Sequence, residues 1–128
     1  MDIVVSSLLV VMGIAIAVIW TRDIFLSEHV DLSAGFFGAR DPDGGDLYWP
    51  HWLAEYGTAA FLGAGGIGLL ADAVWAPVVA AIGTGALLYT SVNSLGWALS
   101  RDERRAYAAP MLGGLAVGVL AMAYLFLQ

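Results

Sequence analysis

The sequence predicts an all-α protein: a four-span transmembrane helical bundle of up-down topology, with an interfacial segment between spans 1 and 2. Three observations carry that prediction. Hydrophobic residues make up 60% of the chain, well above the roughly 45–50% apolar usage of soluble domains. The apolar residues gather into four stretches, each near or above the length needed to cross a bilayer. The basic residues are five arginines and no lysine. They fall only in the first connection (Arg22, Arg40) and the third (Arg101, Arg104, Arg105). Alternate connections share a side, and short Lys/Arg-bearing loops stay in the cytoplasm. Residues 22–50 and 100–109 are therefore expected in the cytoplasm, with both termini outside and the cell membrane as location. Four spans and their connections use up the sequence, so a single integral membrane domain over 1–128 is expected.

Span 1 covers about 3–20, "IVVSSLLVVMGIAIAVIW", with Trp20 at the interface and Arg22 and Asp23 in water. A cleavable signal would carry a positive n-region, but the only charge ahead of this run is Asp2. A retained span is expected. Residues 22–50 form the only long connection. Its first part, "DIFLSEHVDLSAGFF", mixes Ile24, Phe25, Leu26, Phe36 and Phe37 with charges, a pattern that cannot span but can lie in the interface. Its second part, "GARDPDGGDLYWPHW", is dense in turn formers and ends in an aromatic belt. Pro50 suits the first turn of the next helix, where no backbone N–H is required.

Span 2 is expected at 51–70 and is stopped by Asp72. The turn "ADAVWAP" is so short that spans 2 and 3 must be antiparallel neighbours. Span 3 runs over 75–99, and "SRDERRAYAAP" turns the chain into span 4 at 110–126. Gly114 and Gly118 form a G-x-x-x-G pair that lets a neighbouring backbone approach. It leaves open whether that neighbour is this chain, a homo-oligomer partner or another membrane subunit.

Glu55 is the acid inside an apolar span, and an ionisable group there is costly enough to mark a functional candidate. His51, Glu55 and Thr58 share a face of span 2 through their i, i+4, i+7 spacing. Tyr89, Asn93 and Gly96 share a face of span 3, with Thr90, Ser91 and Ser94 beside them. At 1.5 Å per residue, Glu55 lies roughly 5 Å and Asn93 roughly 10 Å in from the same end of the bundle. Glu55, His51, Thr58, Tyr89 and Asn93 are thus the candidate ligand-binding residues, with Glu55 facing Asn93. The competing reading is packing: interhelical polar groups often act only as glue, worth on average about 0.6 kcal/mol each.

Several chemistries lack support. With no cysteine there are no thiolate metal sites and no thiol catalysis. His51 and Glu55 supply two ligands where a catalytic zinc wants three. "DPDGGD" lacks the full calcium-loop ligand pattern. No serine stands beside a base as a nucleophile pair, and no basic stripe suggests nucleic acid. Neither metal nor cofactor is expected, and catalysis is not. Eleven acids against five arginines, without lysine, fit a salt-adapted, halophilic source.

At "HWLAEYGTAAFLGAGGIGLL" followed by "GALLYTSVNSLGWAL" the chain resembles the DoxX-like group of small four-helix membrane proteins. The shared features are size, a long first connection and an acid opening span 2 in an "AE-x-x-TA" stretch. The resemblance implies that Glu55 and the Tyr89–Asn93 region matter, and that a membrane redox partner is among the options. The absence of cysteine argues against a direct thiol role. The favoured function is non-catalytic: a polar pocket at the inner leaflet that binds a small lipophilic ligand or supports a redox partner. The alternatives are a small proton-coupled transporter using Glu55 and a purely structural accessory subunit.

Overall fold

A computed structural model describes residues 3–26, 30–40 and 48–127. Four helices carry the fold: α1 (Ile3–Leu26), α2 (Trp49–Leu70), α3 (Ala76–Leu99) and α4 (Ala108–Phe126). All four are long and apolar enough to cross a membrane. At 1.5 Å per residue, the 24 residues of α3 reach about 36 Å, against a hydrocarbon core of about 30 Å. Consecutive helices pack side by side, α1 on α2, α2 on α3 and α3 on α4. This is the transmembrane up-down bundle expected from the sequence. Arg22, Arg40, Arg101, Arg104 and Arg105 all lie at the end where α1 and α3 finish and α2 and α4 begin.

Small residues set the helix spacing. A Cβ on Gly13 of α1 would stand 2.7 Å from the Ala59 carbonyl oxygen of α2, and one on Gly65 would stand 2.7 Å from the Ala80 backbone of α3. The backbones thus approach to a distance that no larger residue allows, and dispersion contacts replace the hydrophobic drive that lipid does not supply. The Gly114–Gly118 pair is spent within the chain: side chains added there would meet Ser91 and Leu88 of α3.

The turn between α2 and α3 is tight. Ala73 N–H donates to Gly68 O at 2.9 Å and Asp72 N–H to Leu69 O at 3.2 Å. This paired bonding ends a helix through one left-handed residue. That residue is Asp72, with φ of 52°, where glycine is the usual occupant.

The first connection departs most from expectation. Helix α1 does not stop at residue 20 but runs on to Leu26, and Asp23, expected in water, is buried. The reason is tertiary: Ile24 on the same helix is also buried, and the Tyr107 hydroxyl from the connection before α4 donates to Asp23 Oδ1 at 2.7 Å. Residues 30–40 form a compact loop, closed by an antiparallel bridge between Asp31 and Arg40. Within it the Ser33 N–H donates to Asp31 Oδ1 at 2.8 Å and holds that carboxyl below the ordinary carboxylate range. A 3-10 turn at Phe36–Gly38 sets the Phe36 ring 5.0 Å from that of Trp52, while Phe37 stays exposed. Tyr48 N–H donates to Ala39 O at 3.1 Å, tying the loop to the start of α2. Glu28, His29 and the "DPDGGD" stretch lie outside the described residues.

Candidate functional site

The face of α2 that carries His51, Glu55 and Thr58 turns into the bundle. Glu55 and Thr58 are 3% and 2% exposed. Ser94 of α3 meets them: its Oγ donates to Glu55 Oε1 at 3.0 Å and lies 3.4 Å from His51 Nε2. His51 Nε2 stands 3.7 Å from the same Glu55 oxygen. An acid, an imidazole and a hydroxyl thus form a triangle at one level of the bundle. The Trp20 side chain of α1 lies within hydrogen-bonding reach of the Glu55 carboxyl. Buried polar groups need such partners, because an unpaired one costs several kcal/mol in an apolar medium.

Aromatic rings roof this triangle. Trp20 meets the His51 ring edge-on at 4.7 Å and stands 6.2 Å from Trp97. Trp97 in turn contacts Tyr107 at 5.5 Å, and the Arg104 guanidinium lies 4.5 Å over its ring. Tyr107 Oη donates to Asp23 Oδ1 at 2.7 Å, pinning the extended end of α1 to the connection before α4. Thr21 and Tyr56 share a hydrogen bond of 2.8 Å between α1 and α2.

A cavity of about 260 Å³ opens beside the triangle, between α1, α3 and α4. Its wall is apolar, with Met12, Ile19, Leu87, Met111 and Val117; Glu55, Thr90 and Ser91 supply the polar groups. Helices α1 and α4 pack only sparsely against each other, so the bundle is loosest on the side of this cavity.

The five candidates do not all meet. His51 and Glu55 belong to the site. Thr58 is buried at the same face, but its hydroxyl donates to the Ala54 carbonyl at 2.8 Å and so serves its own helix. Tyr89 and Asn93 lie elsewhere: Tyr89 is 72% exposed, and Asn93 is exposed beside it on the outer face of α3. The expected Glu55–Asn93 pair is therefore corrected to Glu55–Ser94. The depth estimate matched the level, but one residue along a helix turns the side chain by about 100°. Trp20, Asp23 and Tyr107 also belong to this end and were not singled out. Asp23 lay three residues beyond an apolar run that looked finished, and nothing local distinguishes Tyr107. Among the described residues, no group of three His, Asp or Glu is placed to hold a metal.

Fold and site together define a small polytopic membrane protein, a four-helix bundle holding a buried carboxyl–imidazole–hydroxyl cluster beside an apolar cavity. Residues 46–128 match the family model described as "Domain of unknown function (DUF8058)", and the chain belongs to that family. No curated protein and no solved structure matches it. The matched region holds α2, α3 and α4, and so contains His51, Glu55 and Ser94.

Proposed function

We propose that this protein binds a small lipophilic molecule with a hydrogen-bonding ring head, of quinone-like chemistry, in the cavity between α1, α3 and α4. The observation that carries this reading is the Glu55 carboxyl, buried yet set on the wall of an otherwise apolar cavity. An apolar void with one or a few convergent polar groups is the usual form of a small-molecule site. A cavity of about 150 Å³ is enough to take a benzene, so about 260 Å³ fits a substituted single ring. Glu55, with Ser94 and His51 behind it, meets the polar edge of the ring, and the isoprenoid or alkyl tail leaves between α1 and α4. The role is non-catalytic. It fits a carrier or anchor for a membrane redox partner, as the DoxX-like resemblance implies.

The arginine distribution supports a location of this site at the cytoplasmic leaflet of the cell membrane, with residues 22–50 and 100–109 inside. The acid-rich, lysine-free composition points to a halophilic source. A second reading, a proton-coupled transporter, is favoured by the 3.7 Å approach of His51 to Glu55, which gives one proton two neighbouring sites.

Titration of the purified protein with a short-chain benzoquinone, followed by tryptophan fluorescence, tests the binding reading, since Trp20 lines the cavity. Saturable quenching is expected, weakened at least tenfold by Glu55→Leu. Absence of saturation, or equal binding by the variant, overturns it. Proton uptake by proteoliposomes that depends on Glu55, without quinone binding, selects the transporter instead.

A further inference from the structure

The outer face of α3 carries polar groups that a monomer leaves facing hydrocarbon. Tyr89 is 72% exposed, Asn93 is exposed, and among the described residues neither side chain has a hydrogen-bond or ring partner. Tyr89 lies roughly 15 Å along the helix from Leu99 and roughly 20 Å from Ala76. A tyrosine side chain cannot reach either interface from there, although the interfaces are where tyrosine is enriched. Asn93 lies roughly 9 Å from Leu99, inside the hydrocarbon of a bilayer about 30 Å thick. Helical side chains lean toward the helix N-terminus, which here is the far end, so Asn93 leans deeper. Lipid tails offer neither group a donor or an acceptor, and the cost of an unsatisfied polar group in that medium is several kcal/mol.

The same face supplies a complete seam. At about 100° per residue, Val78, Ile82, Tyr89, Asn93 and Gly96 fall on one line along α3, and all five are exposed. A Cβ placed on Gly96 meets nothing within 4 Å, so a neighbouring helix has room to come close.

We propose that a second copy of this chain covers this face, α3 against α3, with the two Asn93 side chains hydrogen-bonding to each other. The chemistry selects a second copy over other partners. Two copies in one membrane share an orientation, so a two-fold axis along the membrane normal brings each level of α3 against the same level of its partner. A primary amide holds both donor and acceptor, and is therefore complementary to itself across such an axis. A lone carboxylate or ammonium in this position would repel its copy. The seam lies on a different face of α3 from Ser94, so this inference stands apart from the ligand reading.

The chain has no cysteine, so single cysteines introduced into the full-length protein report the interface in native membranes. Oxidation with copper–phenanthroline of Ile82→Cys and Gly96→Cys should give disulfide-linked dimers. Val11→Cys on α1 and Leu120→Cys on α4, exposed at 59% and 65%, should not. Adding Asn93→Leu to Gly96→Cys should lower the dimer yield at least fivefold. Thermal melting verifies that each variant is folded. Cross-linking that is absent from the α3 positions, equal on all faces, or unaffected by Asn93→Leu overturns the proposal. The first of these results leaves the face to lipid or to a different subunit.

Discussion

Glu55 was legible as a single residue because an acid in an apolar span violates the pattern around it, and such violations mark sites. Its partner was not. Asn93 and Ser94 are adjacent and both polar, and α3 carries small and apolar residues all round, so no stripe tells which side faces inward. Only packing decides, and it buries Ser94 against Glu55 Oε1 at 3.0 Å. Ser94→Ala removes that donor from a buried carboxyl, and the expected loss is about 1–3 kcal/mol. Asn93→Ala, measured in a detergent that holds the protein monomeric, should leave the melting temperature unchanged. The pair of melting curves separates the two residues: a larger loss from Asn93→Ala than from Ser94→Ala would reverse the assignment.

At the scale of elements, helix existence was legible and helix ends were not. Hydropathy located three of the four spans to within two residues at each end, because the lengths are imposed by the bilayer. It stopped α1 at residue 20, since charge at Arg22 and Asp23 reads as water. The helix continues to Leu26, since tertiary burial of Asp23 and its bond from Tyr107 compensate for the charge. The turn after α2 was seen as short, but its left-handed residue was not visible in "ADAVWAP". Asp tolerates that conformation better than most residues yet less well than glycine. Asp72→Gly should therefore stabilise the protein by up to about 1 kcal/mol, and Asp72→Val should destabilise it, since a β-branched residue is a genuine outlier there. Thermal unfolding in detergent measures both. A lower melting temperature for Asp72→Gly would mean that the aspartate makes a contact more valuable than the relief of strain.

For the whole molecule, the arginine distribution predicts an orientation that can be tested directly. Val74, in the turn after α2, is 98% exposed, and Glu103, before α4, is exposed at the opposite end. An impermeant thiol reagent applied to intact cells should modify Val74→Cys and spare Glu103→Cys. The converse pattern would invert the topology and move the Glu55 site to the outer leaflet. The overall bundle followed from composition, but its asymmetry did not. No residue pattern says that α1 and α4, first and last in the row, meet only sparsely.

For the ligand site proposed above, that loose edge has a thermodynamic consequence. A site entered sideways from the bilayer equilibrates with ligand dissolved in lipid rather than in water. Its occupancy follows the mole fraction of ligand per lipid, and adding empty vesicles dilutes the ligand as surely as adding buffer dilutes a soluble one. The aqueous association constant is then the product of a partition coefficient and an intrinsic association constant of ordinary size. A ligand with a longer tail gains apparent potency of about 0.8 kcal/mol per methylene with no new contact to the protein. Comparisons between ligands carry meaning for the site only when each is referred to its concentration in the membrane.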